Sequence, residues 1–384
     1  MKKIILLFSL ILALCCNAQS TVNDTLKMNK TSIKRSITIS LPASYQNDKT
    51  RSYPLLIVLD GDYLTAPFEG VLKYGNYWDD LPETIIVGLH QNGNGERYDD
   101  CKIDESTGLP VGKGEKFFEF IAGELLPFIQ SKYRVGNFKI IAGHDVTAGF
   151  INLFLYKDQP LFNAYINLSP ELATEMEVRI ADRLAAQKQN IFYYLSSADG
   201  DIKKMRENIA LLDTNLKSVS NPNLNYRYDE IKGASHYSLV LYSIPNALYQ
   251  FFASYKPIST DEFQQKIVKL ESGYVDYLKN KYEVLEKTIG IKMPIRVNDF
   301  KAIEAAILKN KAYNEFEQLA QLSSKSYPKA MLSEYHMARY YEFNGDMKRA
   351  VKSYQNAFSL EPIGDLTKDM MLAKADELRS QIKK

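Results

Sequence analysis

The chain has 384 residues, 45% hydrophobic and 24% charged, which is enough for two domains with sizeable cores. Its 48 basic and 46 acidic residues nearly balance, so nothing suggests nucleic acid or an anionic membrane as partner. It has three cysteines, and two of them lie in the first 16 residues.

The opening stretch, MKKIILLFSLILALCCNAQS, has Lys2 and Lys3 ahead of an apolar run from Ile4 to Leu14. Small residues precede the bond after Ala18, which predicts a signal peptide over 1–18 and an exported, soluble product, periplasmic or secreted. The run is short for a membrane anchor, and Cys15 follows Leu14 rather than the small residue that favours a lipoprotein. Removal of this leader leaves 46 basic and 46 acidic residues and Cys101 alone. No intrachain disulfide or cysteine metal cluster then forms, and the mature chain has no transmembrane run.

Residues 19–52 alternate like edge strands, with Ile33, Ile37, Ile39 and Leu41 on one face. YPLLIVLDGDYL and ETIIVGLH are continuous apolar runs, as expected of strands buried on both faces. Residues 91–114 form a long polar, glycine-rich loop, the kind that serves as a lid or binding segment. EKFFEFIAGELLPFIQSKY carries a helical face at 117, 118, 121, 125, 126 and 129. FKIIAGHD, AYINLSPEL, QNIFYYLSSADGD and LNYRYDEIKGASHYS read as further strands, with a helix from about Lys203 to Leu216 and a closing helix in LYSIPNALYQFFASY. Alternation of this kind predicts an α/β fold with a mostly parallel central sheet over 19–255. Asp60-Gly61-Asp62, His90, Asp145, Ser169, Asp199 and His236 each follow a predicted strand, so they should converge on the rim where such sheets bind ligands.

From 256 to 384 helical periodicity takes over and predicts a small all-α repeat domain. Ala338, Tyr341, Gly345, Ala350, Tyr354, Ala357 and Pro362 fit tetratricopeptide spacing. An earlier copy is degenerate, with Phe316 where a small residue is wanted. An unspecific helical bundle is the plainer alternative.

The first domain resembles the Putative esterase family of α/β hydrolases, the group of enterochelin-type and esterase-D-type enzymes. The resemblance rests on YPLLIVLDGDYL, ETIIVGLHQNGNGERYDD, GKGEKFFEFIAGELLPFIQSKYRV, FKIIAGHDVTAGFINLFLYKDQPLFNAYINLSPEL and GASHYSLV, in order over about residues 30 to 255. It implies an α/β-hydrolase fold, and a tetratricopeptide-like tail also occurs in the family. It further implies a histidine at His236, an acid at Asp199 or Asp201, with Asp199 preferred, and oxyanion donors at the amides of Val146 and of a residue near Asp62 or Tyr63. Arg97, Tyr98 and Asp99 match a family R-x-D stretch and imply pocket residues. No cofactor is implied.

The nucleophile does not carry over. Such enzymes hold a serine in G-H-S-x-G-G, whereas this chain reads Gly143-His144-Asp145-Val146-Thr147-Ala148. Asp145 admits three readings: a carboxylate nucleophile, a pseudoenzyme, or a helper of water attack. A carboxylate there opposes the charge of an oxyanion. The β-branched Thr147 predicts a wider or differently packed elbow. Two altered positions together fit relaxed catalytic demand better than a swapped nucleophile. The sequence therefore predicts a binding role, with a small ester in the pocket or an envelope protein on the helical domain. An active carboxylic-ester or Asp-nucleophile hydrolase using Asp145, His236 and one of the two acids is the alternative. His144 reads as packing behind the turn, while His90 reads as a loop-mouth histidine and His336 as an ordinary helix residue. No metal motif is present.

Overall fold

The computed structural model describes residues 21–27, 34–91, 93 and 95–382. The expected leader and Ile33 lie outside the described residues. The chain divides into two compact units, one ending at Ala253 and the other starting at Ser254.

The first unit is built on an eight-stranded sheet: β1 Thr21–Lys27, β2 Lys34–Ser40, β3 Tyr53–Val58, β4 Ile85–Leu89, β5 Val135–His144, β6 Ala164–Leu168, β7 Ile191–Gly200 and β8 Leu224–Ser235. Their order is β1-β2-β4-β3-β5-β6-β7-β8. The β1–β2 and β2–β4 pairs are antiparallel and all others parallel. The continuous apolar runs are the inner parallel strands. Leu55, Leu56, Ile57 and Val58 have no exposed surface, because helices cover both faces of β3.

Those helices are α1 Gly61–Tyr77, α2 Glu96–Asp100, α3 Lys113–Phe120, α4 Leu126–Lys132, α5 Val146–Ile151, α6 Met176–Ala186, α7 Lys203–Lys217 and α8 Leu239–Phe251. A π-type turn over Ile121–Leu125 joins α3 to α4. It lets Phe117, Phe120, Ile121, Leu125, Leu126 and Ile129 all reach one core with Leu55, Ile57, Ile141 and Tyr165. The long loop of the sequence is partly structured, since it contains α2. Helix α1 starts with its Gly61 against β4, where a Cβ would lie 2.6 Å from the carbonyl carbon of Gly88.

The second unit is all α: α9 Thr260–Gln265, α10 Tyr274–Ile289, α11 Val297–Asn310, α12 Glu315–Ser326, α13 Leu332–Phe343, α14 Met347–Phe358 and α15 Lys368–Ile382. Its core joins Leu278, Phe300, Ile303, Phe316, Leu319 and Met331. Ala338, Ala350 and Ala357 are fully buried, small enough for the close approach of α13 and α14. Gly345, at φ 83°, turns the chain between those two helices. No helix of the described residues is long and apolar enough to cross a membrane.

Candidate active site

Three adjacent parallel strands, β3, β5 and β6, are each followed within two residues by a non-glycine residue at positive φ: Asp60 at 54°, Asp145 at 61° and Ser169 at 43°. Such conformations cost about 1–3 kcal/mol apiece and persist where the surroundings enforce them. Asp145, with φ 61° and ψ −123°, forms the sharp turn from β5 into α5. The turn is tight rather than wide: a Cβ on Gly143 would lie 2.7 Å from the carbonyl carbon of Thr147. Of the two alternatives for the elbow, the wider turn is thus corrected, and the different packing is what Thr147 provides. Thr147 fits because its hydroxyl is used, accepting from the His144 amide at 2.9 Å and donating to Asp60 Oδ2 at 2.6 Å.

Asp60 is the fully buried anchor of this rim. Arg97, delivered by α2, donates to it through Nε at 2.6 Å and Nη2 at 3.1 Å. The same guanidinium donates through Nη1 to Asp145 Oδ2 at 3.1 Å and through Nη2 to the His144 carbonyl at 2.8 Å. Burial works against the guanidinium charge, but the hydrogen bonds and charge of Asp60 outweigh it and raise the Arg97 pKa above its ordinary value. Arg97 thus ties Asp145 to Asp60.

His236 follows β8. Its Nδ1 lies 2.7 Å from Asp201 Oδ1, and its Nε2 lies 3.9 Å from Asp145 Oδ1, outside direct hydrogen-bond reach. Asp201 is held from the other side by the Ser169 hydroxyl at 2.5 Å and the Ala198 amide at 2.7 Å. Burial pushes the Asp201 pKa up, but its bonds to His236, Ser169 and Ala198 prevail and bring it below the ordinary carboxylate value. His144 lies behind the turn, its ring centroid 4.5 Å from that of His236. Its Nε2 donates to the His236 carbonyl at 3.0 Å, and its bare Nδ1 lies 3.0 Å from the Tyr63 hydroxyl, whose single proton is shared between that nitrogen and Asp60 Oδ2 at 3.1 Å. Burial, then the neighbouring His236, lowers the His144 pKa to about 4.

Several expectations change here. Asp201, not the preferred Asp199, meets His236. Asp199 instead accepts from the Gly233 amide at 2.7 Å and stands 3.8 Å from Lys232, because the chain turns back after β7. The Tyr63 amide is spent on the Asp60 carbonyl at 3.1 Å, so it is not an oxyanion donor. The Asp62 carboxylate accepts from the Gln91 amide at 2.8 Å and contacts His90 Nδ1 at 3.1 Å. The Val146 amide begins α5, where no helical carbonyl precedes it. Asp99 pairs with Lys113 at 2.6 Å on the surface rather than lining the pocket. Asp60 and Ser169 were expected on this rim but given no role, and Thr147 was expected only to alter the elbow's packing. Their only sequence signal was position, after a strand or within the elbow.

Two cavities open on either side of Asp145, His236 and Tyr237. One, of about 430 Å³, has Leu172, Ile202 and Met205 on its wall. The other, of about 360 Å³, is bordered by Tyr63, Arg97 and Tyr98. Among the described residues no group of three or more His, Cys, Asp or Glu could hold a metal ion.

The sheet order, the strained turn after β5 and the histidine–acid pair at the carboxyl ends of the strands define an α/β hydrolase. Residues 29–197 match the Putative esterase family. Similar solved structures include an uncharacterised protein from Capnocytophaga ochracea, 28% identical over 94% of this chain and 100% of that one, with a TM-score of 0.86. An IroE-like serine hydrolase from Shewanella oneidensis shares the fold at 18% identity, over 79% of this chain and 98% of its own, with a TM-score of 0.60. The BES protein from Bacillus cereus does so at 23% identity, over 60% and 94%, with a TM-score of 0.51. No curated protein matches the sequence.

Proposed function

We propose that the first unit has lost serine-esterase chemistry at its elbow, where Asp145 stands in place of the nucleophile, and binds a small ester-like ligand in the flanking cavities. One observation carries this reading: Asp145 is ion-paired to Arg97 at 3.1 Å and lies 3.9 Å from His236. The carboxylate is held by Arg97, which it shares with Asp60, rather than hydrogen-bonded to the histidine. Attack on an acyl carbon would yield a mixed anhydride, and the negative charge at the turn opposes the oxyanion that the Val146 amide would stabilise. The protein is proposed to be exported through its leader. The buried small residues and glycine turn of α13–α14 support a tetratricopeptide-like second unit, and an envelope protein is the partner proposed for it.

A second reading, an Asp-nucleophile hydrolase, is favoured by the intact His236–Asp201 contact at 2.7 Å. Turnover of p-nitrophenyl acetate separates the two. Asp145→Ser should raise turnover over the native protein by on the order of 10²-fold, the contribution of a positioned general base. Native turnover that disappears in Asp145→Ala, with labelled oxygen from water entering the Asp145 carboxylate, would establish the second reading instead.

A further inference from the structure

On the same rim, beyond Asp62, lies a group that the elbow does not use. Thr38 Oγ1 is 2.8 Å from His90 Nε2, and His90 Nδ1 is 3.1 Å from Asp62 Oδ1. Each member is placed by backbone. Thr38 pairs with Gly88 in the β2–β4 ladder. His90 follows β4 and donates its amide to the Ser36 carbonyl at 3.1 Å. Asp62 lies in the first turn of α1 and is fixed by the Gln91 amide.

The carboxylate of Asp62 only accepts, so Nδ1 of the His90 ring carries the proton facing it. In the neutral ring Nε2 is then a bare acceptor, and the Thr38 hydroxyl is the donor. A hydroxyl bonded to a base that a third group orients is the arrangement that activates an oxygen nucleophile. The group is open to solvent, with the side chains of His90 and Asp62 30% and 32% exposed. It lines a cavity of about 590 Å³ with Lys34, Ser36 and Glu96. Lys34, Ser36 and Thr38 alternate along β2 and so share one face. That puts an ammonium and a second hydroxyl on the wall of the same cavity.

We propose that Thr38, His90 and Asp62 form a separate acyl-accepting site for small carboxylic esters, independent of Asp145. Thr38 Oγ1 attacks the ester carbonyl as its proton passes to His90 Nε2. The alkoxide leaves with that proton, and the acyl group stays on Thr38. Water, deprotonated by His90, then attacks the acyl-threonine. The carboxylic acid departs, and the proton returns to the threonine oxygen.

The full-length protein treated with a fluorophosphonate should carry the phosphonyl group on Thr38, with loss of fluoride, as located by peptide mass spectrometry. Thr38→Val should abolish that adduct and lower p-nitrophenyl acetate turnover at least tenfold. His90→Gln should suppress both, and Thr38→Ser should keep both, which separates lost chemistry from lost folding. An adduct elsewhere, no adduct, or full turnover in Thr38→Val overturns the proposal. Chemistry at Asp145 would instead leave labelled oxygen in that carboxylate and nothing on Thr38, so failure of this proposal and failure of the elbow reading are distinguishable.

Discussion

Asp60 holds more of the elbow together than Asp145 does. It has no exposed surface, and Arg97, Thr147 and Tyr63 all converge on its carboxylate. Its position after a strand was legible in the sequence. Its partners were not, because they come from α2, α5 and α1, and only the folded sheet brings those segments together. Removing one member of a buried pair costs far more than the pair contributes, and without Asp60 the Arg97 charge keeps only its single carboxylate contact, with Asp145. Asp60→Ala is therefore expected to destabilise the protein by about 3–5 kcal/mol in urea unfolding. Thr147→Val keeps the ion pair and removes a neutral hydroxyl that donates to Asp60 and accepts from the His144 amide, so its cost should be smaller, about 1–3 kcal/mol. Equal losses in the two variants would mean that the Arg97 pair is not what fixes the rim.

At the scale of elements, the β5–α5 junction shows what residue types alone convey. The strand, turn and helix were legible from FKIIAGHD and the apolar residues after it. The tightness of the turn was not, because a β-branched Thr147 looks bulky until its hydroxyl is seen bonded to Asp60. Helix α1 was missed altogether, since Pro67, Gly70 and Gly75 interrupt a helical composition. It forms because Leu64, Phe68 and Leu72 recur on one face and bury against the sheet. The junction itself makes a sharp prediction. A Cβ at Gly143 would meet the backbone of Thr147 and Ala148 at 2.7–2.8 Å, and backbone cannot swing aside as a side chain can. Gly143→Ala should cost about 1–3 kcal/mol or slightly more, as overpacking does, read as a lowered thermal midpoint. A neutral result would show that the elbow relaxes readily.

Across the whole molecule, periodicity announced the order of the strands and the change to an all-α second unit, while the role of each histidine depended on tertiary burial. His336 read as an ordinary helix residue, yet it has no exposed surface in the second unit. Its Nδ1 meets the Ser323 hydroxyl at 3.1 Å, and its Nε2 faces Glu304 at 4.0 Å. The rings of Phe300 and Phe316 lie beside it. Burial, then the charge of Arg339, lowers its pKa from 6.5 to about 3. The unfolded chain thus takes up a proton near pH 6.5 that the folded chain refuses until about pH 3. Stability from this group is complete above pH 6.5 and falls as the pH drops through that window, by on the order of 2–4 kcal/mol between pH 6.5 and 4. His144 acts in the same direction in the first unit, so the parent protein alone cannot separate the two. His336→Gln can, because every other titrating group, including Glu304, is present in both proteins. The variant should be less stable at pH 7.5, since it loses a packed ring, but its stability should fall less steeply than the parent's from pH 6.5 to 4. Urea midpoints at half-unit intervals give the two slopes. Parallel slopes would show that His336 is protonated within the folded core, with Glu304 accepting the charge.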